Sequence, residues 1–186
     1  VGEAAPFRPE ALVVGVLSSG SADWPPALGA LELEFGPMRL ESPPEPFGWT
    51  DYYEAEMGLA LLRRFLAFDR LVDPAALAGI KLACNRIEAR TARASGGGRS
   101  LNLDPGILSL SRFCLATTKN RAHRIPLSSG IYAELTLIYK GKAFQPLPWT
   151  YPDYASEAFR SLLKGWREIF AEELKGPAGD RARRLS

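Results

Sequence analysis

The sequence predicts an α+β fold: a single domain with a mixed, largely antiparallel sheet and about three flanking helices. Three observations carry this. Short apolar runs rich in β-branched or aromatic residues recur along the chain, LVVGVL at residues 12–17 being the plainest. Amphipathic helical stretches follow Asp73-Pro74 and Asp153. No interior Pro-, Gly- or Ser-rich linker divides the 186 residues, a length that suits one domain.

The elements follow in order. Residues 1–10 read as a flexible N-terminus, 11–175 as the domain and 176–186 as a flexible basic tail. LVVGVL is a continuous apolar run and predicts a buried strand. Residues 18–23 predict a turn. Pro25 and Pro26 suit the first turn of a helix in which Leu28, Leu31 and Phe35 share a face, and Gly36-Pro37 stops it. A short strand is predicted near 38–41, a loop over the Pro-rich 43–48 and a strand over 64–71. Asp73 caps the clearest helix, with Pro74 at its first position and Leu77, Ile80, Cys84 and Ile87 on its apolar face. A Gly-rich turn at 94–98 precedes predicted strands at 100–103, 112–118 and 130–139, the last turning at Gly141 into a short partner. Pro105-Gly106 predicts a turn directly after the first of these. The stretch 153–174 predicts one amphipathic helix.

Composition narrows the function classes. Apolar residues make up 46% and charged residues 24%, close to the globular average, which excludes a wholly disordered or coiled-coil chain. A net charge of +2 is too balanced to point to nucleic acid by bulk charge. Cys84 and Cys114 lie among apolar residues and read as free buried thiols, and with a single His they cannot form the usual zinc site. The absence of a long apolar run predicts no membrane span, and the N-terminal residues lack a signal-peptide pattern, so the expected location is cytoplasmic. No P-loop, dinucleotide-binding glycine fingerprint or nucleophile-elbow motif occurs.

Five polar groupings remain. On a strand, Asn102 and Asp104 share one face, opposite Leu101 and Leu103. Thr117, Thr118 and Lys119, followed by His123 and Arg124, gather the donor types that hold phosphate or carboxylate oxygens. Alternation places Tyr132, Glu134 and Thr136 on one strand face and Ala133, Leu135 and Leu137 on the other, leaving Glu134 in need of a partner. Lys81, Asn85 and Glu88 form one helix stripe, for which plain exposed polarity is the competing reading. Asp51, Tyr52, Tyr53, Glu54 and Glu56 form an acidic and aromatic cluster.

The strings FGPMRLES, TDYYEAEMG, IKLACNRIE, LNLDPG, LATTKNRAHRIPLSSGIYAELTLIY and PLPWTYPDY resemble the bacterial and archaeal family catalogued as domain of unknown function 4416. The resemblance runs from about Phe35 to Tyr154 and includes the opening strand. It departs at Pro126, where the family pattern has an aromatic after His-Arg-Ile. The family has no established activity, so the resemblance implies a shared set of polar strings rather than a reaction.

Together these readings predict one cavity faced by Asn102, Asp104, Lys119, His123, Arg124 and Glu134, with Lys81 and Asn85 at its wall. The ligand expected there is a phosphorylated small molecule or nucleotide. Lys81, Asn85, Asn102, Thr118, Lys119, Arg124 and Tyr132 are the expected binding residues. His123, Asp104 and Glu134 are the candidate catalytic groups for hydrolysis or phosphoryl transfer, His being the side chain that titrates near neutrality. Asp104, Glu134 and Glu56 are candidate ligands for a divalent cation, Mg or Mn, through oxygen. The competing readings are an RNA-binding module, with Lys119, Arg121, Arg124 and the Arg-rich tail on the backbone and Tyr52, Tyr53, Trp149 and Tyr151 stacking on bases, or a protein-interaction module without catalysis that uses an exposed Trp-Thr-Tyr-Pro-Asp-Tyr segment at 149–154. A closed ion-pair network with no room for a ligand is the plain structural alternative.

Overall fold

The structure is a computed structural model that describes residues 2–19, 24–94 and 99–175. The predicted turns at 18–23 and 94–98 lie mainly outside these residues, and the basic tail lies wholly outside them.

The domain is α+β, built on a nine-stranded sheet. In chain order it contains β1 (Glu10–Ser18), α1 (Trp24–Phe35), β2 (Met38–Glu41), β3 (Glu45–Pro46), α2 (Glu54–Met57) and β4 (Leu62–Val72). After a 3₁₀ turn at Pro74–Ala76 come α3 (Leu77–Ala94), β5 (Leu101–Leu108), β6 (Arg112–Thr117), β7 (Arg124–Pro126), β8 (Tyr132–Lys140) and β9 (Ala143–Pro146). The chain then forms α4 (Pro152–Ala155), α5 (Glu157–Ile169) and α6 (Ala171–Lys175). The strand order is β2-β4-β1-β5-β6-β8-β7, with β3 added to β4 and β9 to β8. The strand pairings are antiparallel.

β1 is buried along its whole length because helices cover both faces of the sheet. Leu12, Val14 and Val16 pack with Leu31 and Phe35 of α1 and with Ile80, Cys84 and Ile87 of α3. Ala11 and Val13 pack with Phe159, Leu163 and Trp166 of α5 on the other face. A strand with layers on both sides has no reason to alternate, which explains the unbroken apolar run. Asp73 accepts a hydrogen bond from the Ala75 amide and caps the turn into α3, as its Asp-Pro sequence predicts. Pro126 sits on the edge strand β7, where a missing amide donor is tolerated.

Four expectations are corrected. Pro105-Gly106 does not turn the chain: β5 continues through it to Leu108 and stays paired with β1. Residues 45–46, expected in a loop, form β3 against β4. The single C-terminal helix is three. Ser156 is extended (ψ 147°), and its hydroxyl caps α5 by accepting from the Phe159 amide at 3.2 Å, which interrupts the helix after Ala155. The alternation of β8 is also broken. The β6–β8 register pairs Phe113 with Leu137 but Cys114 with Leu135, leaving Thr136 as the extra residue of a bulge. Ala133 therefore packs with the α3 layer, whereas Leu137 packs with the α5 layer. Both cysteines are free; Cys84 is buried as expected, whereas Cys114, also expected to be buried, is only half-buried.

Candidate functional site

The site begins where two strands part. β5 and β6 pair only through Gly106–Leu115, Ile107–Cys114 and Leu108–Phe113. Beyond that point β5 follows β1 as far as Leu101, while β6 follows β8 as far as Thr117. Pro105, which has no amide hydrogen to offer a neighbour, stands at the fork. Gly106 is required there: a Cβ on it would lie 2.5 Å from the Phe113 ring and 2.8 Å from the Cys114 carbonyl oxygen. The helix α3 supplies what the absent strand neighbour would. The Leu103 amide donates to Glu88 Oε1 at 2.7 Å, and the Leu103 carbonyl accepts from Lys81 Nζ at 2.6 Å. The helix stripe is therefore buried against the sheet rather than solvated. A cavity of about 720 Å³ opens in the fork, bounded also by the segments bearing Phe47–Tyr53 and Tyr151–Tyr154.

Its floor is a network of matched charges. Arg63, buried on β4, donates from Nη2 to Asp153 Oδ2, and its Nη1 lies 3.5 Å from Asp104 Oδ2. Its guanidinium packs 5.1–5.5 Å from the ring centres of Phe47, Phe65 and Tyr154. Burial alone would weaken its charge, but the acidic groups around it, the Asp153 and Asp104 carboxylates among them, outweigh that and hold its pKa above the ordinary value. Asn102 Nδ2 donates to Asp104 Oδ2 at 2.8 Å. Lys81 lies 3.9 Å from both Glu88 and Asp104. Burial raises the pKa of Glu88, partly offset by Lys81 and by the Leu103 amide. Arg99 joins Glu56 at 2.8 Å, Asn102 Oδ1 at 3.2 Å and Glu88 at 3.5 Å.

The opposite wall belongs to β7 and β8. Glu134, 1% exposed, accepts from Arg124 Nε at 2.7 Å on Oε2. Arg124 also donates to the Lys119 carbonyl at 2.9 Å and to the Tyr151 hydroxyl at 3.2 Å. Thr118, Lys119 and Arg121 are exposed at the rim, with Lys119 Nζ 4.2 Å from the centre of the Tyr52 ring.

Several buried polar atoms on the wall have no hydrogen-bond partner: Arg63 Nε and Nη1, Arg99 Nε, Glu134 Oε1 and the Tyr154 hydroxyl. Burial, and then the nearby Asp104 and Asp153, keeps Tyr154 protonated well past its ordinary pKa despite Arg63. This hydroxyl converges with Arg63 over Gly15: a Cβ on Gly15 would lie 2.5 Å from it and 3.1 Å from Arg63 Nη1.

Of the residues expected at the site, Lys81, Asn85, Asn102, Asp104, Thr118, Lys119, Arg124 and Glu134 line this one cavity. His123, Tyr132 and Glu56 do not. The His123 ring stacks on Trp149 (4.9 Å between centres, 10° between planes), and its Nε2 lies 3.1 Å from Glu134 Oε2, so it braces Glu134 from off the wall. Glu56 is drawn to Arg99 instead of joining Asp104 and Glu134. The three carboxylates expected to share a cation each face a basic partner. Among the described residues, no three His, Cys, Asp or Glu side chains group as a metal site. Arg63 and Arg99 line the cavity without a site reading in the sequence, and Asp153 and Tyr154, expected in an exposed interaction segment, are instead buried on its wall. Arg63 had a signal, because it alternates in step with the core residues Phe65 and Ala67.

Residues 8–170 match the family model described as "Domain of unknown function (DUF4416)". The chain belongs to this family. The match spans every strand of the described residues, and it takes in the whole cavity wall. No curated protein and no solved structure matches the chain. No helix among the described residues is long and apolar enough to cross a membrane.

Proposed function

We propose that this protein binds a phosphorylated small molecule or nucleotide in the cavity between β5 and β6. The observation that carries the reading is the charge balance of the wall, six Lys and Arg side chains against four carboxylates. Lys119 and Arg121 have no carboxylate partner among the described residues, and both stand at the rim. Ammonium and guanidinium groups free of carboxylate partners favour a phosphate, which binds through charge-assisted hydrogen bonds. Exposed Trp49, Tyr52 and Tyr151 beside them offer faces for a flat or sugar-like body. The volume suits a nucleotide-sized molecule.

A melting-temperature panel of nucleotides, sugar phosphates and inorganic phosphate tests this. A ligand at 100-fold its Kd stabilises by about 2.7 kcal/mol, or about 5–10 °C for a chain of this size. Replacing Lys119 and Arg121 together with Ala is expected to abolish the shift while changing stability by under about 0.5 kcal/mol, because both are exposed. No shift with any phosphorylated compound sinks the reading. Binding of single-stranded RNA alone, falling steeply with salt, would replace it.

A further inference from the structure

We propose that the ligand carries free hydroxyl groups beside its phosphate and enters hydroxyls first: a phosphorylated sugar, free or as the ribose of a nucleotide. This rests on the phosphate-binding reading above and gives it a direction and a substrate class.

The cavity has two chemically different ends. At the rim, Lys119 and Arg121 carry charge without carboxylate partners among the described residues. At the floor the cations are already paired, and the carboxylates outnumber them. Arg63 faces Asp153 and Asp104, and Lys81 lies between Glu88 and Asp104. A phosphate pushed to the floor would meet Asp104 and Asp153 with no spare cation, and its charge of about −1.5 to −2 at neutral pH would be repelled by both.

Yet the floor is short of hydrogen bonds. Arg63 is 7% exposed and Tyr154 3% exposed, so both are more than nine-tenths buried. Arg63 Nε and Nη1 and the Tyr154 hydroxyl have no hydrogen-bond partner. Leaving buried donors unpaired is unfavourable. Asp104 beside them is a quarter exposed, so its carboxylate is open to the cavity as an acceptor. The floor therefore needs a group that accepts from an N–H or phenolic O–H and donates to a carboxylate without adding charge. A hydroxyl does both, and a neighbouring pair does so twice. Amides meet the same description only with both ends correctly placed, whereas a hydroxyl rotates to suit. Gly15 keeps Arg63 and Tyr154 close over a residue with no side chain, and Asn85 and Asn102 add further donors and acceptors to the wall.

The test is titration calorimetry on the full chain. Glycerol 3-phosphate, ribose 5-phosphate and glucose 6-phosphate are compared with ethyl phosphate and inorganic phosphate, and AMP with its 2′,3′-dideoxy counterpart. The expected result is at least tenfold tighter binding of a hydroxylated compound than of its hydroxyl-poor control. The series that splits tells a free sugar phosphate from a nucleotide. Tyr154→Phe removes one orphaned hydroxyl and no packing. It is expected to fold with an unchanged or raised melting temperature, to weaken the hydroxylated ligand about tenfold and to leave ethyl phosphate unaffected. Asp104→Asn, which cannot accept on both atoms, should show the same selectivity. If ethyl phosphate binds as tightly as every hydroxylated compound, or both variants bind them unchanged, the orientation is overturned while phosphate binding stands. If nothing phosphorylated binds, the parent reading falls and this one with it.

Discussion

Gly106 shows how one missing side chain shapes the whole site. Its position at the last β5–β6 pair forces the Phe113 ring and the Cys114 carbonyl into the space a Cβ would take. Backbone cannot retreat as a flexible side chain can. Gly106→Ala is therefore expected to destabilise by about 1–3 kcal/mol, as over-packing does. Gly29, in α1 with open space around it, is the control. Gly29→Ala should be neutral or stabilise by about 0.5–1 kcal/mol through helix propensity. Urea denaturation of the two variants checks both, and equal effects would refute the argument. At this scale the sequence was informative wherever a residue broke a pattern. Asn102 and Asp104 against Leu101 and Leu103 were legible by alternation, and Glu134 as an acid within an apolar strand. His123 was not, because what removes it from the wall is Trp149, 26 positions further along and brought close only by the fold.

At the scale of elements, the sequence identified the main strands and the long helices but neither β3 nor the fork. Pro105-Gly106 looks like a turn in any one-dimensional reading. It remains inside β5 because β1 pairs along one side of the strand, and because the other side, at Leu103, is satisfied by α3 instead of a strand. The break at Ser156 was hidden for a similar reason. The apolar spacing on either side of it continues one helical face, while the interruption lies in a cap. That break leaves Asp153 in the short helix α4, within reach of Arg63. The role given to α3 makes a prediction. Lys81→Met keeps the length of the side chain but removes the donor to Leu103 and the cation beside Glu88, both buried. Breaking a buried pair in this way is expected to cost about 3–5 kcal/mol. The exposed Lys119→Ala is expected to cost under about 0.5 kcal/mol. Comparable small losses in both would mean that the stripe does not anchor β5.

Across the whole molecule, the two helical layers are joined through strands they share. β1 gives Ala11 and Val13 to the α5 layer and Leu12, Val14 and Val16 to the α1–α3 layer. β4 divides in the same way, with Phe65 and Ala67 on one face and Leu66 and Phe68 on the other. Detaching either layer would uncover one face of both central strands, so neither has an independent core to fall back on. The site depends on this too, since its floor takes Arg63 from β4 and Asp153 from α4, while Lys81 comes from the opposite layer. The expected outcome is a single cooperative unfolding transition. Each layer has its own reporter. Cys84 is fully buried between α3 and the sheet, and burial pushes its thiol pKa up to about 12, so it should react only once that layer opens. Trp166 of α5 is buried in the other layer. Replacing Trp24, Trp49 and Trp149 with Phe leaves it as the one tryptophan of the four. In a urea series on that variant, Cys84 labelling and Trp166 fluorescence should share one midpoint. Two separated midpoints would show that the layers unfold one after the other, and that the shared strands do not couple them.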